Sequence, residues 1–162
     1  MTTVTYEVGA LENVVGTEFG PGPWLLVDQE RIDTFAEATG DHQWIHVDPK
    51  RAKQGPFGAT VAHGYLTLSL VAPLLEGLVR VEGATMAVNY GLDRVRFPAP
   101  VVSGSRLRAR AVLASVEPAG AGSVQAAFQV TIELDGGGKP VCVATALCRY
   151  YRQSEEHRDD NT

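Results

Sequence analysis

Residues Val61 to Val79, VAHGYLTLSLVAPLLEGLV, are apolar on nearly every side, and the chain that follows alternates with period two almost to its end. The run is long enough to span a bilayer. His63, Pro73 and Glu76 lie inside it, however, so it reads as a buried core helix, kinked or interrupted at Pro73. A helix apolar nearly all round must be covered on most sides, and the strands after Gly83 are the available cover.

Those strands are legible in turn. Met86, Val88, Tyr90 and Leu92 share one face, while Val95 and Phe97 continue with the opposite parity, which predicts a bulge near Asp93-Arg94. Pro98-Ala-Pro100 and Ser103-Gly104 form a turn region. Leu107, Ala109, Ala111 and Leu113 then alternate with Arg106, Arg108 and Arg110. Val124, Ala126, Phe128, Val130, Ile132 and Leu134 give a still cleaner strand, and Asp135 to Gly138 turns the chain into a last one, Val141 to Tyr151. Long strands with short connections imply an antiparallel sheet. The fold class is therefore α+β, a curved antiparallel sheet wrapped around a central hydrophobic helix.

Upstream of the helix, Trp24 to Val27 reads as a short strand. Asp28 offers an N-cap for a helix from Gln29 to Thr39, whose Ile32, Phe35, Ala36 and Thr39 recur at helical spacing. Gly40 suits the position just past its end. Pro49 opens a further short helical turn through Lys53, and the loop QGPFGAT leads to Val61. Residues 1–152 read as one domain, and 153–162 as a polar, disordered tail in which His157 carries no functional weight.

Charge and composition exclude some partners. With 14 Lys+Arg against 19 Asp+Glu in 162 residues, the chain lacks the basic surplus of a nucleic-acid binder. The N-terminal stretch MTTVTYEVGALENVVG has no basic segment before an apolar block, so a secretory leader is not expected and a cytoplasmic protein is. Cys142 and Cys148 are six apart on one strand face, roughly 20 Å, too far for a disulfide. They read as small buried hydrophobes.

The segment GDHQWIHVD, residues 40–48, carries two histidines and two carboxylates just after a helix end. A metal site would use His42 and His46, four apart, with Asp41 or Asp48. It would need both histidines on one helix face, yet Gly40 breaks the helix before them and Trp44-Ile45 look like buried anchors. His42 is expected to face the entrance or solvent. Taken alone, Asp41 reads as a turn or cap residue and His46 as a structural histidine; an acid/base pair is the functional alternative.

The same segment, read as FAEATGDHQWIHVDPKRA and followed after a Gly/Phe loop by VAHGYLTLSL, resembles the MaoC-like acyl dehydratases, the (R)-specific enoyl-CoA hydratases of the hot-dog fold. The motif positions are Gly40-Asp41, Gln43-Trp44-Ile45-His46, Asp48-Pro49 and His63-Gly64, and the likeness covers roughly residues 25 to 80. It points toward a subgroup labelled nodulation protein N-like. Gln43 stands where Asn is usual and Trp44 where Pro is usual; the Asp41 and His46 spacing is intact.

Hydration of a trans-2-enoyl thioester needs a water made nucleophilic at C3, a proton for C2 and stabilisation of the enolate oxygen at C1. Asp41 and His46 converging on one water meet the first two needs. The resemblance implies syn addition and an (R)-3-hydroxyacyl product. The backbone N–H of Gly64, at a helix N-terminus and without a Cβ to block approach, meets the third. His63, Gln43, Trp44, Phe57 and Tyr65 are expected to bind substrate. In some family members a serine on the central helix supports the aspartate; Ala72 occupies that position, leaving Ser69 and Thr67 as nearby hydroxyls.

Water addition transfers no electrons, so neither a metal nor a redox cofactor is expected, coenzyme A being part of the substrate. The thioester carrier is coenzyme A or an acyl carrier protein. Arg106, Arg108 and Arg110 could contact coenzyme A phosphates, although a solvated sheet face is favoured for each; Arg94 and Arg96 share the ambiguity. The resemblance also implies a homodimer. Two alternatives remain: a hot-dog acyl-CoA thioesterase, which would not need the Asp41/His46 pair, and a non-catalytic acyl-thioester-binding subunit.

Overall fold

A computed structural model describes residues 3–120 and 122–152; the expected tail lies outside them. The chain opens with β1 (Val4–Glu7), a 3-10 helix (Val8–Val14), β2 (Glu18–Phe19) and β3 (Leu25–Val27). Helices α1 (Gln29–Thr39), α2 (Trp44–Val47), α3 (Pro49–Ala52), α4 (Gly64–Ser69) and α5 (Val71–Glu76) follow. Strands β4 (Val79–Glu82), β5 (Ala84–Arg96), β6 (Ser105–Pro118), β7 (Ser123–Leu134) and β8 (Cys142–Arg152) complete it.

The main sheet runs β2-β6-β7-β8-β5, with β3 pairing beside β2 on the same edge of β6, and every pairing in it is antiparallel. Its inner face is the alternation read from the sequence: Leu107, Leu113, Phe128 and Ile132 are fully buried, with Ala109, Ala111 and Ala126 between them. Small residues there let the helices lie close to the sheet. Leu66, Leu70, Val71, Leu74 and Leu75 fill that space from the helix side and join one hydrophobic core. Cys142 and Cys148 belong to the same face as free, buried thiols, and burial pushes the Cys142 thiol up to about 11. This is the α+β hot-dog arrangement.

The central helix differs from expectation in one respect. It is two six-residue helices separated at Leu70 rather than one rod bent at Pro73. Proline lacks an N–H for the carbonyl four residues back, and its ring crowds that carbonyl. For Pro73 the affected residue is Ser69, where α4 ends. Nor is the pair covered all round: Tyr65, Ser69, Ala72, Pro73 and Glu76 form an exposed stripe.

Strand β5 is the edge of the sheet, and most of its residues are exposed. The expected bulge is present, a register shift between Asp93 and Arg96 with Arg94 at φ 53°. A second shift lies between Asn89 and Gly91. Met86 and Val88 pair with Tyr151 and Arg149 on the outer face, whereas Leu92 pairs with the inward-facing Ala146. The four residues read as one face are therefore split by a bulge that the alternation conceals. Among the described residues, no helix is long and apolar enough to cross a membrane. The parallel pair β1-β4, together with β2, had no counterpart in the sequence reading.

Candidate active site

The turn after α1 is built from local rules. The Asp28 carboxylate caps α1 by accepting the Arg31 N–H at 3.0 Å, and Gly40 ends the helix in the left-handed conformation, φ 77°, with its N–H on the Ala36 carbonyl. Asp41 follows in solvent. Its Oδ1 faces the Gln43 N–H at 3.4 Å, a long contact of the kind that shapes an Asx turn. The chain then forms α2, a single helical turn absent from the sequence reading because four residues show no periodicity.

That turn carries His46 inward. Its Nδ1–H donates to the Val61 carbonyl at 2.6 Å, and Val61 N–H returns a bond to the Ile45 carbonyl. A carbonyl can only accept, so the neutral imidazole holds its proton on Nδ1 and presents a lone pair at Nε2. Burial holds this imidazole below its ordinary value of 6.5. The Val61 carbonyl opposes that shift, His63 adds to it, and the Asp41 carboxylate opposes it. The resulting group is an uncharged base near neutral pH beside an exposed carboxylate.

His63 lies beneath it. This residue is 2% exposed, its Nε2–H donates to the backbone carbonyl of Asp41 at 2.9 Å, and its ring stacks on that of His46 with centroids 3.7 Å apart and planes 24° apart. Polar atoms of Asp41, His46 and His63 all fall within 4.8 Å of one another. Stacked rings set their in-plane lone pairs side by side, and a metal cage needs them to converge. In this cluster His46 Nδ1 and His63 Nε2 are already bonded to backbone carbonyls, which leaves His46 Nε2 and the Asp41 carboxylate as its open polar groups.

Gly64 opens α4 directly after His63, and its N–H has no acceptor among the described residues. A Cβ on it would meet the Phe97 ring at 3.1 Å. Phe97 thus packs over the start of α4 from just beyond β5, a contact with no local signal in the sequence. Gln29 is equally silent there: its side-chain amide donates to the His46 carbonyl at 2.7 Å and to Asp33, while Thr60 donates to its oxygen.

The remaining expected site residues disperse. His42 faces solvent and bonds Glu37 at 2.8 Å, which together with the Gly40 backbone raises its proton affinity. Gln43 caps the start of α2 through its carbonyl. Trp44 is half-buried, with the Arg51 guanidinium 4.4 Å above its ring and Gly55 against its edge. Phe57 is exposed on the following loop. Tyr65 lines an apolar trench of about 280 Å3 between the helix pair and the inner face of β5 and β8, with Leu68, Ala72, Leu92 and Ala146.

Neither nearby hydroxyl supports Asp41. Thr67 donates to the His63 carbonyl and Ser69 to that of Leu66. The strand arginines are committed elsewhere. Arg106 pairs with Asp135, Arg108 with Glu133, and Arg110 with both Glu133 and Glu18.

The MaoC like domain family model matches residues 10–133. A 3-hydroxyacyl-thioester dehydratase Z from Mycobacterium tuberculosis is 50% identical over 147 residues, covering 90% of this chain and 97% of that protein. Nodulation protein N of Rhizobium leguminosarum bv. viciae is 47% identical over 132 residues, 80% and 82% of the two chains. The solved structure of the R-hydratase PhaJ1 from Pseudomonas aeruginosa, unliganded, superposes with a TM-score of 0.67 at 22% identity over 86% of this chain and 83% of its own.

Proposed function

The chain belongs to the MaoC-like domain family and is a hydro-lyase of the dehydratase/hydratase kind; we propose that it adds water reversibly to a trans-2-enoyl thioester, giving the (R)-3-hydroxyacyl thioester. One observation carries this reading. An exposed carboxylate, Asp41, stands beside a neutral imidazole, His46, whose Nδ1 is occupied by the Val61 carbonyl and whose Nε2 is left to act.

In the hydration direction His46 Nε2 takes a proton from a water that the Asp41 carboxylate also holds by hydrogen bond. The oxygen adds to C3 as the C2–C3 double bond opens and charge moves to the thioester oxygen. The unpaired Gly64 N–H is the donor for that oxygen. A proton returned to C2 from the same side completes a syn addition. Dehydration retraces these steps. The carrier is coenzyme A or an acyl carrier protein, and no group beyond the chain's own residues takes part.

We place the protein in the cytoplasm as a homodimer. The 13-residue edge strand β5 has its second edge unpaired among the described residues and exposes Met86, Val88 and Tyr90 on its outer face. Natural sheets seldom leave such an edge open.

The test is loss of the conjugated enoyl-thioester absorbance with crotonyl-CoA and a longer enoyl-CoA, with product chirality read by an (R)- or (S)-specific dehydrogenase. An (R) product, and turnover abolished by Asp41→Asn and by His46→Gln, is the expected result. Free-thiol release with no 3-hydroxyacyl product would instead establish a thioesterase, since hydrolysis also removes the enoyl-thioester absorbance. Binding that survives both substitutions, with no turnover in wild type, would establish an acyl-thioester-binding subunit.

A further inference from the structure

His63 touches every part of the proposed machinery while almost wholly buried. Its Nε2–H holds the backbone of Asp41, its ring lies flat on His46, and the next peptide bears the Gly64 N–H. On its other side the Phe35 ring of α1 packs 5.1 Å away. The residue is therefore clamped between α1 and the catalytic imidazole, where any change in its shape moves both neighbours.

One atom shows that filling space is not its purpose. The Nδ1 of His63 is buried with no hydrogen-bond partner. A buried acceptor left unpaired carries an uncompensated desolvation cost, which an apolar group in the same place would not carry. Satisfying the Asp41 carbonyl does not by itself require an imidazole, because Asp41 is an exposed residue. An apolar side chain would serve the core at least as well. What it could not do is hold Asp41 by an N–H and back His46 with a flat ring.

We propose that His63 is a positioning residue, fixing the Asp41 backbone through Nε2–H and the His46 plane by stacking so that carboxylate and imidazole meet the same water. This builds on the hydratase reading above and assigns His63 a role other than substrate binding. Misplacing a reacting group by about 1 Å can cost on the order of a hundredfold in rate.

The test compares His63→Leu, which removes both donor and ring, with His63→Gln, whose amide N–H reaches the place of Nε2. With crotonyl-CoA, the leucine variant is expected to lose about a hundredfold in kcat with KM nearly unchanged. Its melting temperature should equal or exceed that of wild type, and glutamine should recover part of the lost rate. Wild-type kcat in His63→Leu would overturn the proposal. So would kcat, KM and melting temperature falling together in both variants, the mark of a merely structural residue. A readout without turnover separates this from failure of the hydratase reading. In nitrogen-15 spectra, removing His63 should change the tautomer balance or the titration of His46 while the amide spectrum keeps its dispersion. An unaltered His46 would refute positioning whatever the enzyme's substrate.

Discussion

The Nδ1–H of His46 donates to the Val61 carbonyl at 2.6 Å, and that bond decides which nitrogen the imidazole offers to the solvent side. His46→Gln removes the proposed base, and Asp41→Asn removes the carboxylate while keeping its shape. Each is expected to lower kcat by about 10²–10⁴-fold with little change in KM. Steady-state loss of enoyl absorbance measures both.

The low proton affinity of His46 sets the pH dependence. Because burial holds the imidazole below 6.5, it stays neutral at pH values where a free histidine is charged. The acid limb of kcat/KM is therefore expected to have its midpoint below 6.5. Stability follows the same group. As the pH falls, the unfolded chain takes up this proton before the folded one, so the contribution is complete above 6.5 and is lost on descending through the folded value. Urea denaturation at about pH 8 and about pH 5.5 should show a smaller decline for His46→Gln than for wild type.

Gly64→Ala places a methyl group against the ring of Phe97, a residue 42% exposed. The expected stability loss is about 1 kcal/mol, the low end for overpacking. Activity should fall further, since the Cβ also stands beside the N–H. Adding Phe97→Leu is expected to restore the melting temperature and leave kcat low. Recovery of both would show that Gly64 serves packing alone.

Arg108 bonds Glu133 at 2.8 Å and lies 4.4 Å over the Trp24 ring. Arg108→Ala is expected to cost about 1 kcal/mol of stability. KM for a coenzyme A thioester should not change, since the guanidinium is already committed. A several-fold rise in KM would return this strand to the phosphate-binding role.

The β5 edge gives a prediction about assembly. Val88→Lys puts a charge on the outer face of the edge strand, the device by which natural sheets avoid edge pairing. The proposed dimer is expected to give way to monomer in sedimentation equilibrium, and a wild-type monomer would overturn it.

The parts of this molecule written in local chemistry were legible before the structure. Asp28 and Gly40 bound α1, and the alternation of β6 and β7 assigned inner and outer faces, because each depends on neighbours two to four residues away. The turn bearing Asp41 and the spacing to His46 were visible for the same reason. What was hidden depends on distant contacts or on geometry without periodicity. The second bulge of β5 reverses Leu92 without disturbing the pattern. The contact of Phe97 with Gly64 joins positions far apart in the chain. The depth of His63 follows from α1, α2 and α4 meeting around it, so from sequence alone this histidine, next to Gly64, reads as a substrate-binding residue.

The apolar trench has one wall on the helix pair and the other on β5 and β8, with Leu92 and Asn89 supplied by the exposed edge strand. Asp41, His46 and His63 come from the other side of the molecule's chain order, before β5 begins. The trench can therefore be reshaped from an edge strand that contributes none of Asp41, His46 and His63.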